Sequence, residues 1–218
     1  MIKLLILDFD GTLADTQELI VRTNQEAMRR LGYPVREAQD IIDTIGLPLE
    51  EGIKTLFPDL PHEALPEWVK MYRTVFDILK EHIGPQLFPD VQETLAQLHA
   101  DGYLISVASS RLSISLNAFL KDLGLMPYIC YVLGADNVTQ AKPHPEPVLK
   151  TLSQLGIPAE EALVVGDMPV DIRMGKSAGA KTCAVTYGNA SREALSEADY
   201  IIDDFAEMIP LLADLQTA

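Results

Sequence analysis

Two carboxylates, Asp8 and Asp10, stand one residue apart at the end of an apolar run near the start of the chain. The run Leu4–Leu7 leads into a Gly11-Thr12 turn, a pattern typical of a strand that is buried on both faces. In an open α/β sheet, ligands bind just outside the carboxyl ends of the strands, where we expect both carboxylates. Two carboxylates this close repel each other unless a cation compensates them, and Mg2+ prefers oxygen ligands. The stretch therefore predicts a magnesium site.

Three later segments also place polar residues where a predicted strand ends or a loop begins. Ser109 and Ser110 offer a hydroxyl and consecutive backbone N–H groups near a helix start, which is a natural seat for phosphate. Lys142 lies in a proline-rich segment, 141–147, that restricts its backbone. Asp167 and Asp171 add two further carboxylates after another strand, although Asp171 could simply favour the N-terminal dipole of a helix. Together with the first pair, these residues predict phosphate chemistry.

The elements that must position these residues alternate between helix and strand from residue 91 onward. Such alternation is typical of right-handed βαβ units and a doubly wound parallel sheet. The predicted helices cover 91–99, 113–123, 146–155 and 170–178, and the strands that follow them cover 103–108, 131–133, 162–165 and 181–186. A short segment, 200–202, and a final helix close the core.

Between the first strand and this core, the apolar residues fall at helical spacing. Asp15 followed three residues later by Glu18 matches a capping box and predicts the start of a helix that ends near Gly32. Further helices are predicted over 36–44, 49–57 and 66–80, with no strand candidate between them. The sequence therefore predicts an α/β core with an all-helical insertion after its first strand.

The composition excludes several classes of partner. The chain has 218 residues, 48% of them hydrophobic, which is ample for a large core. Its formal net charge of −15 disfavours nucleic acid and anionic membranes as partners. Two distant cysteines in apolar surroundings, Cys130 and Cys183, are expected to be buried free thiols. We expect a cytoplasmic protein with no membrane segment, a monomer or weak homodimer.

The chain resembles the haloacid dehalogenase superfamily of phosphotransferases, in the branch with a helical cap inserted after the first strand. The resemblance rests on a DxDGT motif at residues 8–12, then Ser109, Lys142 and a GDxxxD motif at 166–171, in that order. It implies a doubly wound, Rossmann-like α/β core formed by residues 1–15 and 84–218. Residues 16–83 would form an all-α helical-bundle cap.

The resemblance also implies a role for each acidic residue. Asp8 would attack phosphorus as the nucleophile and form an aspartyl-phosphate. Asp10 would protonate the leaving oxygen and then activate the water that hydrolyses the intermediate. Mg2+ would be held by the Asp8 carboxylate, the Asp10 backbone carbonyl and Asp167, with Asp171 either binding it directly or orienting a ligand.

Ser109 and Lys142 would hold the phosphoryl oxygens, and Lys142 would also ease the charge on the nucleophile. Gly11, Ser110, Gly46 and Leu47 would contact the substrate, the last two from a cap loop that we expect to face the site. Ser110 could contribute only its backbone.

The resemblance favours hydrolysis of a small phosphorylated metabolite, in the manner of a phosphoglycolate phosphatase. Dehalogenation is disfavoured because dehalogenases of this family lack an acid at the position of Asp10. Phosphonate cleavage would need a cap lysine, a role that spacing does not assign to Lys54 or Lys70. A pyrophosphatase remains open, as does a sugar-phosphate mutase like β-phosphoglucomutase, although loop 44–49 has no Lys or Arg. A phosphate-responsive regulatory protein would be expected to lack one of the motif residues.

Overall fold

A central parallel sheet carries the strand ends that the sequence marks as important. The strands are β1 (Leu4–Leu7), β2 (Ala14–Asp15), β3 (Gln86–Leu87), β4 (Leu104–Ala108), β5 (Tyr131–Leu133), β6 (Ala162–Gly166), β7 (Lys181–Val185) and β8 (Tyr200–Ile202). Six of them form one sheet in the order β5-β4-β1-β6-β7-β8. All its pairings are parallel, as the alternating pattern predicted. The computed structural model describes residues 1–217, in which no helix is both long and apolar enough to cross a membrane.

Helices cover the sheet and fill the segment between β2 and β3. They are α1 (Gln17–Leu31), α2 (Ala38–Ile42), α3 (Leu49–Leu56), α4 (Leu65–Leu79), α5 (Val91–Ala100), α6 (Ser113–Asp122), α7 (Glu146–Leu155), α8 (Pro169–Ser177) and α9 (Met208–Thr217). Most predicted elements lie within two residues of these bounds. Helix α2 is shorter than the predicted 36–44, and the predicted helix over 66–80 begins one residue earlier.

The central strand β1 is buried because alternate side chains enter two different cores. Leu5 and Leu7 join the large hydrophobic core on one face of the sheet. Leu4 and Ile6 join a second core on the other face. All four side chains are at most 1% exposed, and each contributes roughly 1.5–3 kcal/mol by leaving water. This firmly packed strand fixes the backbone that leads directly into Asp8.

Helices α1–α4, which we call the helical segment, have a hydrophobic core of their own. Trp68 lies at its centre, 1% exposed, with its ring 5.3 Å from that of Phe57 and 5.4 Å from that of Tyr33. Aromatic pairs at this spacing stabilise a small core beyond the area they bury. Phe76 on α4 packs instead with the core of the sheet, so the helical segment lies directly against it.

The chain enters and leaves the helical segment through a two-stranded antiparallel ribbon, β2–β3. Ala14 pairs with Leu87 and Asp15 pairs with Gln86. Strands of two residues are too short to show an alternating pattern, and the sequence did not predict this ribbon.

Two local predictions are wrong. The capping box at the start of α1 does not form: Asp15 accepts the N–H of Gln17, but Glu18 pairs with Arg22 instead of reaching back. The predicted buried thiol at Cys130 is exposed, because it follows a short 3-10 turn at the edge of the sheet. Cys183, on interior strand β7, is buried as predicted.

Candidate active site

The carboxyl ends of three neighbouring strands bring the predicted site residues to one edge of the sheet. Asp8 follows β1, Ser109 follows β4 and Asp167 follows β6. Because β1 lies between β4 and β6 and all three are parallel, their ends meet. The three side chains have little contact with solvent.

Lys142 reaches this edge from the loop before α7 and bridges two carboxylates. Its Nζ donates to Asp8 Oδ1 at 2.6 Å and to Asp171 Oδ1 at 2.7 Å. Burial alone would lower the pKa of Lys142, but the two carboxylates, Asp171 first, raise it above its ordinary value. The two carboxylates therefore favour the charged ammonium form of Lys142.

Burial raises the pKa of Asp8 well above its ordinary value, although the charge of Lys142 works in the opposite direction. The nearby carboxylates of Asp171, Asp167 and Asp10 raise it further. The site therefore holds more negative charge than its one lysine compensates.

Asp167 is completely buried and is oriented by the loop that follows the neighbouring strand β7. Its Oδ2 accepts the backbone N–H of Asn189 at 2.7 Å and the side-chain amide of Asn189 at 2.8 Å. Burial, followed by the charge of Asp171, raises the pKa of Asp167 to about 7. Gly11 has a φ of +82°, and a Cβ at this position would collide with the Asp167 carboxylate. Glycine is therefore required for β1 and β6 to bring their carboxylates together.

Asp8, Asp167 and Asp171 fit a divalent cation. One carboxylate oxygen from each lies within 4.8 Å of the other two, and all three residues are buried. Three carboxylates beside one lysine leave excess negative charge, and hard oxygen ligands suit Mg2+. Thus the donor set and its charge agree with the predicted metal.

Asp10 makes different contacts from Asp8, although only one residue separates them. Its carboxylate accepts two hydrogen bonds from Arg111 Nε, at 2.8 and 2.9 Å, and one from an Nη nitrogen at 2.6 Å. The hydroxyl of Thr16 donates to the same carboxylate at 2.6 Å. Asp10 is thus held by one arginine and one hydroxyl at the start of α1.

Ser110 connects the sheet to the helical segment. Its hydroxyl donates to the backbone carbonyl of Gly46 at 2.6 Å, so its side chain makes a specific contact. Gly46 and Leu47 line the same cleft as Asp8 and Asp10, a space of about 1140 Å3 between the sheet and the helical segment. The structure therefore brings the loop residues to the cleft that the sequence predicted for them.

Sequence reasoning missed Arg111, Asn189 and Thr16 as members of the site. Arg111 follows the two serines after β4, so a basic residue at a strand end was a usable signal. Asn189 lies in a loop with no distinguishing pattern. His144, in the loop of Lys142, accepts the backbone N–H of Glu146 and thus stabilises the loop's backbone.

Comparison with known proteins agrees with this geometry. The family model described as haloacid dehalogenase-like hydrolase matches residues 5–185. A probable phosphatase IndB of Dickeya dadantii is 39% identical over 216 residues, which cover 96% of this chain and 93% of that protein. A phosphoglycolate phosphatase of Salmonella typhimurium is 33% identical over 94% of this chain and 90% of its own length. A putative pyrophosphatase PpaX of Clostridium perfringens is 32% identical over the full length of both chains.

The chain belongs to the haloacid dehalogenase-like hydrolase family, as its motifs predicted. It is a phosphatase of that family.

Proposed function

We propose that the chain is a Mg2+-dependent phosphatase that hydrolyses a small phosphomonoester through an aspartyl-phosphate intermediate. The observation that carries this proposal is the buried Lys142, which contacts Asp8 and Asp171 at 2.6 and 2.7 Å within a cluster of three carboxylates. Phosphoryl transfer depends mainly on positioning and on neutralising charge, and this cluster supports both.

In the first step, a carboxylate oxygen of Asp8 attacks phosphorus, and the bond from phosphorus to the leaving oxygen breaks. Asp10 gives its proton to that oxygen. In the second step, a water molecule attacks phosphorus, gives its proton to Asp10 and displaces the Asp8 carboxylate as free phosphate leaves. Because Arg111 holds Asp10 in the free protein, this pair must loosen before Asp10 reaches the leaving oxygen.

The metal ligands would be the carboxylates of Asp8 and Asp167 and the backbone carbonyl of Asp10. A bound Mg2+ supplies positive charge that offsets the charge of the phosphoryl oxygens. Both oxygens of Asp171 already accept hydrogen bonds, from Lys142 and from the backbone N–H of Met168. We assign to Asp171 mainly the anchoring of Lys142.

Ser109 and Lys142 would bind the phosphoryl group. Residues 16–83 would act as a cap that excludes water from the cleft, with residues 1–15 and 84–218 as the catalytic core. The Gly46–Ser110 hydrogen bond and the separate aromatic core of the helical segment support this division. Gly46, Leu47, Gly11 and Ser110 would then contact the substrate.

The favoured substrate is phosphoglycolate or a similar small phosphomonoester, because a relative that matches 94% of this chain carries the name phosphoglycolate phosphatase. Pyrophosphate is the second candidate, favoured by the relative named as a putative pyrophosphatase. The cleft of about 1140 Å3 has room for either.

We further propose that the protein acts in the cytoplasm as a monomer or weak homodimer. Its two free thiols, Cys130 and Cys183, suit a reducing compartment.

The test is phosphate release from a panel of small phosphoesters and pyrophosphate, with Mg2+ and with a chelator. The Asp8→Asn variant is the matched control, since it keeps the shape of the side chain and removes the nucleophile. We expect release that requires Mg2+ and falls at least about 1000-fold in the variant, because loss of a covalent nucleophile raises the barrier by several kcal/mol. Equal release by the variant would overturn the aspartyl-phosphate, and release unaffected by the chelator would overturn the metal.

A further inference from the structure

Arg111 is a charged residue of the cleft that the proposed chemistry leaves without a direct role. Its Nε and Nη2 nitrogens bind Asp10, while Nη1 has no hydrogen-bond acceptor among the described residues. The guanidinium plane offers donors along two edges, so a group that pairs with one carboxylate can accept a second anion. The free nitrogen gives Arg111 that remaining capacity.

Three aromatic rings hold the guanidinium in place. Its carbon lies 5.8 Å from the centre of Phe9, 5.2 Å from that of Phe76 and 5.0 Å from that of Phe119. Contacts of this kind favour a cation and restrict its motion. One of the rings comes from α4, so the helical segment and the sheet both position Arg111.

The charges of the cleft make Arg111 the best-placed cation for an anion that enters it. Seven acidic residues line the cleft: Asp8, Asp10, Glu50, Glu51, Asp77, Glu81 and Asp122. Only four basic residues line it: Lys54, Arg73, Lys80 and Arg111. Lys80 and Arg111 each pair with a carboxylate, but the Lys80 side chain is 35% exposed and the Arg111 side chain only 10%. Lys54 and Arg73 are exposed, so solvent screens the charge of Arg111 least.

The position of Arg111 relative to the reacting atoms is also informative. If Asp8, Ser109 and Lys142 hold the phosphoryl group and Asp10 serves the leaving oxygen, the rest of the leaving group extends past Asp10. Arg111 lies there, bonded to the Asp10 carboxylate. Arg111 is also one of the residues that line the cleft, and its Nη1 has no acceptor among the described residues.

We infer that Arg111 is a specificity residue that binds a second anionic group, a carboxylate or a phosphate, on the leaving-group side of the substrate. This inference rests on the proposed phosphatase function and narrows its substrate to small phosphates that carry a second anion. An anion that shares the guanidinium weakens its hold on Asp10, so binding the correct substrate also frees the proposed acid.

The test compares two substrates of nearly equal size, phosphoglycolate and 2-hydroxyethyl phosphate, which differ by a carboxylate in place of a hydroxymethyl group. We define the anion preference as the ratio of kcat/KM for the first substrate to that for the second. Phosphate release with Mg2+ is measured for the wild type, for Arg111→Gln and for Arg73→Gln. The last variant removes the same charge from an exposed position lining the same cleft.

The wild type should show an anion preference of about 10- to 100-fold, as expected for a charge-assisted hydrogen-bond pair. Arg111→Gln should reduce the preference to near one, while Arg73→Gln keeps most of it. The 2-hydroxyethyl phosphate reaction of each variant serves as the control for folding and for the chemical step.

An anion preference near one in the wild type would overturn the inference, and so would an anion preference in Arg111→Gln equal to that of the wild type. Either result would leave the proposed phosphatase function intact. An equal loss of anion preference in Arg111→Gln and Arg73→Gln would show a general electrostatic effect of the cleft instead of a specific contact. This result would also overturn the inference. If the wild type released no phosphate from either substrate or from pyrophosphate, the proposed function itself would be overturned, and the inference with it. If Arg111→Gln does not fold, Arg111→Lys replaces it: this variant keeps the charge without the paired donors, and an undiminished preference would contradict the inference.

Discussion

Replacing Lys142 with methionine should destabilise the metal-free protein strongly. The substitution keeps a side chain of similar length but leaves Asp8 and Asp171 without their shared cation. The three side chains are between 0% and 4% exposed, so solvent does not screen the loss. Removing one partner of a buried ion pair costs about 3–5 kcal/mol. For a chain of this size, that corresponds to a fall in Tm of roughly 6–20 °C.

The loss should depend on pH in a definite direction. Without Lys142, the pKa of Asp8, which burial already raises, should rise further. A carboxyl whose folded pKa lies above its unfolded pKa destabilises the fold as the pH rises above the unfolded value, and has no such effect below it. The difference in stability between variant and wild type should therefore shrink as the pH is lowered from 8 towards 4.

Thermal unfolding in a chelator, followed by circular dichroism, measures both effects. Lys3→Met is the matched control, because Lys3 makes an exposed ion pair with Glu161 at 2.8 Å that contributes at most about 1 kcal/mol. Mg2+ should restore part of the stability of Lys142→Met, since a bound cation compensates the same carboxylates. If Lys142→Met unfolds at the same temperature as Lys3→Met at pH 8, the argument from buried charge is refuted.

Two further predictions concern the contacts around the cleft and the support of α6. Ser110→Ala removes the hydroxyl that binds the Gly46 carbonyl, and should raise KM by about 2- to 10-fold with a smaller effect on kcat. Unchanged steady-state kinetics would show that this contact does not matter for binding. Asp136→Ala removes the carboxylate that accepts the backbone N–H and hydroxyl of Ser113 at the start of α6, each at 2.6 Å, and should cost about 0.5–2 kcal/mol in urea unfolding. Because these hydrogen bonds lower the pKa of Asp136, the loss of unfolding free energy in Asp136→Ala should shrink as the pH falls below 3.8. A loss that stays constant with pH would argue against an ionised Asp136 as the cap of α6.

The sheet could be predicted from sequence because its signals are local. The burial of β1 follows from four consecutive large apolar residues, and the glycines after the helices mark where strands follow. The same reasoning found the polar positions at the strand ends and in the loop of Lys142, since a parallel sheet brings its carboxyl ends together. Their catalytic roles remain proposals.

The contacts within the site could not be predicted, because they join residues far apart in the sequence. Asp10 and Arg111 are separated by 101 positions, and Asp167 meets Asn189 only through the fold. The predicted capping box of Asp15 and Glu18 does not form, and the hydroxyl of Thr16, which lies between them, binds Asp10. A local hydrogen bond is easily replaced by a stronger charged partner once the chain is folded. Cys130 shows the complementary error, since apolar neighbours in sequence do not ensure burial at the edge of a sheet.

The β2–β3 ribbon has a consequence for how such a chain can be altered. Ala14 lies opposite Leu87, so roughly 70 residues leave the core and return to it at neighbouring points. A tight turn could join the two strands without changing the order of the sheet, and a segment of different length could replace the helices in the same way. The ribbon is thus an insertion point at which the same sheet can carry different helical segments. Substrate selectivity can change through the inserted segment while the strands of the sheet stay the same.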